Sequence, residues 1–300
     1  PSPYPSVFAV ATQAEDRVRF TVATGTASSQ GLTFHLFADD HPLDITEHYY
    51  AVTGFPGLPA PWALGPWIWR DEVDGQAAVE ADLVAIRELD LATSGYWIDR
   101  PFANAVNSFD WNPDTYTDAP AMIALAQDMG FRVALWQAPY LHADHPSTAD
   151  LLAEAKEKGY LPEIATTGGL KWGPTIDFTE PEAYAWWQDH VRFYTDMGIE
   201  GFKLDYGQDI QIGLAGARLP WSFYDGSTEL TMQSRFQELY HRVYAETLPE
   251  TGGFLLCRSG TYGDQVNGTI IWPGDLDNDF RYFLEDGHVG GLPSAIRGGT

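Results

Sequence analysis

A single cysteine, four lysines and the lack of any long apolar run set the first limits on this 300-residue chain. One thiol, Cys257, can form neither an internal disulfide framework nor a cysteine-based zinc site. Inside "GGFLLCRS" it reads as a small buried core residue. No stretch approaches the roughly 18 apolar residues that a membrane-spanning helix needs. The opening "PSPYPSVFAV" has no charged segment ahead of a long apolar core, so no secretion leader is expected and the compartment stays open. Positive charge is scarce too: 17 Lys and Arg against 42 Asp and Glu leave a formal net charge of −25. Nucleic acid and anionic membrane both demand a basic surface, and neither is expected as a partner. Composition says nothing about oligomeric state.

What is present points to a well-cored globule. The hydrophobic fraction of 44% and the aromatic fraction of 14% are too high for a disordered chain. Several of the eleven tryptophans stand near polar residues, a setting compatible with stacking on flat ligand faces as well as with packing.

The pattern changes at about residue 60. Before it, "RVRFTVAT" alternates and "LTFHLFADD" reads as a second short strand, so residues 1–60 are expected to be β structure ending in the connector "TGFPGLPAPWALG". From there to residue 300, strands alternate with helices. "PWIWR", "TSGYWID", "RVALWQAP", "IEGFKLD", "GGFLLCRS" and "NGTIIWPGD" read as strands. Helices are expected near 75–90, in "DAPAMIALAQDMG", in "TEPEAYAWWQDHVRFYTDMG" with a Thr cap, and near 228–246. Repeated strand–helix units imply parallel strands. Polar residues at the strand ends (Arg70, Asp99, Asp205, Arg258, Asp275) suit a (β/α)₈ barrel, whose site is assembled there. A doubly wound open sheet usually offers a glycine-rich turn after its first strand, and "WIWRDEVDG" is not one. The fold class is therefore α/β: a TIM barrel, incomplete in this chain at about six strands of eight, preceded by part of an N-terminal β-sandwich.

Lys203 and Asp205 stand two apart in the strand "GFKLD" and so share a face. The lysine would favour the charged carboxylate beside it, and a positioned carboxylate is what covalent catalysis at a sugar carbon requires. A buried ion pair closing the barrel is the other reading. Asp275, after Trp272, Pro273 and Gly274 in "WPGD", is expected in a drier setting that favours a protonated acid. A retaining glycosidase uses such a pair about 5–5.5 Å apart.

From about Tyr49 onward the chain resembles glycoside hydrolase family 31, the retaining α-glycosidases that include α-glucosidases, α-xylosidases, sulfoquinovosidases and some α-galactosidases. The resemblance is carried by the connector and by "SFDWNPDTYTDAPAMI", "IDFTEPEAYAWW", "GFKLDYGQD", "RSGTYGDQ" and "WPGD" in the family's order. It implies Asp205 as nucleophile and Asp275 as general acid/base. It also implies sugar-binding roles for Asp99, Trp136, Lys203 and Arg258, with Trp97 and Trp272 beside them in "GYWID" and "WPGD". Two departures stand out. Gln208 occupies a position where the family often has Glu, and the family continues past "RGG" into a glycine-rich segment, so this chain is expected to be part of a longer protein.

The resemblance thus implies an exo-α-glycosidase that acts on an oligosaccharide or α-glycoside and needs no cofactor. A transglycosylase of the same family and a non-catalytic carbohydrate-binding barrel are the alternatives. Three other signals are set aside. The calcium-loop spacing of Asp275, Asp277, Asp279 and Asp286 has Phe280 where the sharp turn needs glycine. His142 and His145 lack a third ligand and read as part of a solvated loop. His190 and His241 read as ordinary helix-surface or packing residues.

Overall fold

The computed structural model describes residues 7–14, 17–24, 35–163, 172–207, 221–272, 274–276 and 280. Strands β1 (Val7–Ala14) and β2 (Arg17–Thr24) form a two-stranded antiparallel ribbon, which is all that is described of the expected sandwich. The second run expected there, "LTFHLFADD", is not a strand over its described residues. Helix α1 (Pro42–Thr53) follows instead, inside the region expected to be β. His41 caps it by accepting a hydrogen bond from the Leu43 amide, and Pro42 opens its first turn. None of its residues is buried, although Ile45, Tyr49 and Val52 recur at helical spacing.

Six parallel strands then alternate with helices: β3 (Trp67–Arg70), α2 (Gln76–Glu88), β4 (Gly95–Ile98), α3 (Ala119–Asp128), β5 (Arg132–Gln137), α4 (Ala149–Glu157), α5 (Pro181–Thr195), β6 (Gly201–Leu204), α6 (Glu229–Ala245), β7 (Phe254–Cys257) and β8 (Ile270–Ile271). The strands pair in chain order from β3 to β8, each parallel to the next. An open doubly wound sheet reverses its strand order at a switch point. No reversal occurs among the described strands, and the sheet winds in one direction as a barrel does.

Alternate residues of each strand serve two faces. Tyr96, Ile98, Val133, Leu135, Phe202, Leu204, Leu255 and Cys257 pack beneath the helices, against Leu83 of α2, Met122 of α3, Trp187 and Val191 of α5, and Phe236 and Tyr240 of α6. Across the other face Trp67, Trp97 and Phe254 stack around Ala134. Cross-strand register puts Trp69, Trp97, Ala134, Gly201 and Phe254 on one level, with Trp136 and Lys203 one step higher. Two small residues in the lower row leave room for the rings. Gly201 has no alternative: a Cβ there would meet Phe254 Cβ at 2.7 Å and its carbonyl oxygen at 2.8 Å.

Two further elements differ from the sequence reading. The α5 cap is Glu180, whose carboxylate accepts from the Ala183 amide, while Thr179 bonds Asp177. Pro181 holds the residue before it extended, which puts the cap one position later. The stretch after His142, expected as a solvated loop, runs through a 3₁₀ turn at Pro146–Thr148 into α4.

Two outcomes follow. Gly201→Ala should lose about 1–3 kcal/mol in a urea titration through strain between β6 and β7. His190 is stacked on Phe109 and edged by Trp186. Burial pushes its imidazole below the usual value near 6.5, against a partial offset from Glu154 and Asp189. The unfolded chain therefore takes up that proton first as pH falls below about 6.5, so stability drops with falling pH in that window and is regained above it. His190→Gln should flatten that part of a melting-temperature profile.

Candidate active site

Strand β6 delivers two charges to the face that carries the ring stack. Lys203 and Asp205 are each only 7% exposed, and buried charges persist when neighbouring strands supply partners. Their partners differ from the expected one. Lys203 Nζ lies 2.8 Å from Asp99 Oδ2 at the end of β4, not on Asp205. Asp99 Oδ2 also accepts from Trp69 Nε1 at 2.9 Å, and its Oδ1 accepts from the Arg100 amide. The rings of Trp69, Trp97 and Trp272 stand 5.0, 5.9 and 5.4 Å from the ammonium, an aromatic cage around a salt-bridged cation.

Asp205 is held by three donors. Its Oδ1 accepts from Arg258 Nη1 at 3.0 Å and from the Tyr206 amide at 2.9 Å, and its Oδ2 accepts from Trp136 Nε1 at 3.0 Å. The Asp205 amide bonds Gln137 O, extending the β5–β6 ladder by one residue. Tyr206 then turns at φ 61 and Gly207 at φ 92, which ends the strand and leaves the carboxylate at its tip.

Arg258, just past β7, bridges toward the second acid. Its Nη1 is 3.0 Å from Asp205 Oδ1 and 3.6 Å from Asp275 Oδ2, so those two oxygens lie no more than 6.6 Å apart. Burial works against the guanidinium's charge, but Asp205 and Asp275 outweigh it and hold Arg258 above the usual arginine range. The drier setting expected for Asp275 is absent: its side chain is 76% exposed. Strand β8 ends at Ile271, and Gly274 turns at φ 93, placing Asp275 in a turn beyond the strand. Pro273 and Gln208 lie outside the described residues, as do Asp277, Asp279 and Asp286 of the calcium-like spacing. No metal-binding cluster occurs among the described residues.

All eight candidates thus fall in one neighbourhood. Asp99, Lys203, Trp97 and Trp272 form one group, and Trp136, Asp205, Arg258 and Asp275 the other. The sequence reading missed Tyr206, whose ring lies 5.2 Å beneath Arg258, and Trp172, which packs edge-on against Trp136 and Tyr206. Of the two settings expected for His241 the structure gives the packed one: it is fully buried, with Nδ1 2.6 Å from Asp264 Oδ2, a pairing the sequence did not indicate. That pair ties α6 to the turn between β7 and β8, which links Arg258 to Trp272. Cys257 is buried as expected, and burial pushes its thiol up. Asp99→Leu should leave Lys203 buried without its partner and cost about 3–5 kcal/mol of unfolding free energy. Adding Lys203→Met should recover most of it in a double-mutant cycle.

Curated proteins are similar to this chain in sequence. An α-xylosidase of Emericella nidulans is 23% identical over 98% of this chain and 38% of its own length. An isomaltosyltransferase of Sporosarcina globispora is 24% identical over 96% of this chain and 29% of its own. The chain thus spans well under half the length of these relatives. Among solved structures, an α-xylosidase from a soil metagenome, complexed with xylose, superposes with a TM-score of 0.71 at 22% identity. That match covers 87% of this chain and 37% of the other, and it bears on the fold alone. The profile of the glycosyl hydrolases family 31 TIM-barrel domain matches residues 56–291, and on that match the chain belongs to glycoside hydrolase family 31.

Proposed function

We propose that this chain carries the catalytic barrel of a retaining exo-α-glycosidase. One observation carries the reading: a single guanidinium nitrogen stands between two carboxylates, one buried and held by three donors, the other exposed at the mouth. The upper bound on their separation includes the spacing of about 5–5.5 Å used by retaining enzymes. Asp205 would attack the anomeric carbon while Asp275 passes its proton to the departing glycosidic oxygen. A covalent glycosyl–Asp205 ester results. Water would then give a proton to Asp275 and its oxygen to the anomeric carbon, releasing the sugar and restoring both acids. Trp136 and Arg258 hold the attacking carboxylate in one orientation, which is the positioning such a step needs. Asp99 and Lys203, fixed on each other, offer an acceptor and a donor to sugar hydroxyls.

Transfer to a second sugar passes through the same ester, and the isomaltosyltransferase relative favours keeping it as a second reading. On p-nitrophenyl α-glycosides, Asp205→Asn should lower nitrophenol release by about a thousandfold or more. The first sugar released should be the α-anomer by NMR; a β-anomer would refute retention. New oligosaccharides at high donor concentration would mark transfer. Sugar binding with no release by the unaltered protein would favour a carbohydrate-binding barrel instead.

A further inference from the structure

A cavity of about 200 Å³ shares the Trp136 indole with the site above but is lined by none of Asp99, Lys203, Asp205, Arg258 or Asp275. Its wall comes from the loop after β4, which includes Arg100 and Asn107, and from Trp172 and His142. Trp136 is the partition: its Nε1 holds Asp205, and its ring borders the cavity.

The cation in this wall is unusual for so acidic a chain. Among the described residues, Arg70, Arg132, Arg192, Arg235, Arg242 and Arg258 each pair with a carboxylate. Arg87 bonds three backbone carbonyls. Arg100 makes neither kind of contact with its side chain among the described residues, unlike those seven. Its guanidinium carbon instead lies 5.9 Å from the Trp136 ring centre and 5.7 Å from that of Trp172. Indole faces orient a guanidinium while leaving its five donors unspent.

A second polar group lining the cavity has one atom without a partner among the described residues. Asn107 is 4% exposed, and its amide nitrogen donates to the carbonyls of Ala138 and Tyr140, which fixes the orientation of the group. Its Oδ1 is buried with no donor among the described residues. His142 Nδ1 is in the same condition, and burial together with His145 holds that imidazole below its usual range. A buried acceptor without a donor is costly, and a ligand hydroxyl would relieve it.

We propose that this cavity is a subsite for an oxyanion, a carboxylate or a sulfonate, borne by the sugar that stands against Trp136, and that Arg100 selects for it. This rests on the glycosidase reading above and narrows its substrate class to acidic α-glycosides. The planar fork of Arg100 matches an oxyanion, and a hydroxyl of the same sugar donates to Asn107 Oδ1. Arg100 is then a specificity residue that takes no part in bond breaking.

The test is a calorimetric titration in the Asp205→Asn background, where the donor stays intact. The probes are p-nitrophenyl α-D-glucopyranoside, the corresponding α-D-glucuronide and the corresponding α-sulfoquinovoside. At least one anionic glycoside should bind about tenfold or more tightly than the glucoside, and the arm that wins separates carboxylate from sulfonate. That margin should shrink about tenfold in Arg100→Gln and return in part in Arg100→Lys. Arg192→Gln, which removes an equal charge from the surface of α5, should leave it unchanged. Equal affinity for all three, a margin indifferent to Arg100, or no binding at all overturns the subsite. Nitrophenol release by the unaltered protein reads the parent hypothesis separately. An Arg100-dependent margin without turnover keeps the subsite and removes the hydrolase. Turnover of all three without a margin does the reverse.

Discussion

Two like-facing charges, one on a four-residue strand and one just past it, cannot stay out of water unless the flanking strands answer them. The need to compensate Lys203 and Asp205 organises the strand-end face of this sheet. Strand β4 answers with Asp99, strand β5 with the Trp136 indole N–H, and the end of strand β7 with Arg258. Each partner is on or just past a different strand, so the arrangement exists only while β4 to β7 keep their register. Losing one partner strands a buried charge at a cost of several kcal/mol, comparable with the whole stability of a domain. Stability and site geometry are thus coupled through the same contacts.

The ring stack below the charges makes that register rigid. Phe254 lies on Trp67 with centroids 4.0 Å apart, and Gly201 lets it approach β6 more closely than any side chain would allow. Charges then sit above an apolar floor and inside an aromatic cage, where interactions with a polar ligand are stronger than in bulk water. The two acids end up unlike in exposure rather than in polarity of lining. Asp205 is enclosed and immobilised by donors, whereas Asp275 stands at the rim. On the proposed roles, enclosure suits a group that must meet one carbon atom at one angle, and exposure suits one that must meet both a leaving group and water.

Much of this was legible in the chain because it depends on local pattern. Strands of alternating or wholly apolar residues, helices with an apolar stripe, and glycines that stop them emerged at nearly the expected positions. Helix α1 did not; it lies in the segment expected to be β and buries none of its residues. The α5 cap was placed one residue early because the constraint of Pro181 on its predecessor outweighs the general preference for threonine. The partner of Lys203 was misassigned for a different reason. Spacing shows which side chains share a face, but an ammonium on a long stem chooses among neighbours that only the sheet brings together. Asp275 was expected in a dry setting from its neighbours in sequence, yet burial is decided by what packs across from a residue.

By itself, then, the sequence determined the parallel strand–helix alternation and the family, because both reside in short-range periodicity and in ordered motifs. It also singled out Lys203 and Asp205, since charges in an apolar run are conspicuous in any chain, while Asp99, Arg258 and Asp275 came from their places at strand ends and in the ordered motifs. Only the tertiary structure decided which charge meets which, how exposed each acid is, and that Arg100 shares a cavity wall with Asn107 and Trp172. Those are distances between elements up to about a hundred residues apart, such as the 104 separating Asp99 from Lys203. No local rule encodes such distances; sheet register and loop packing set them.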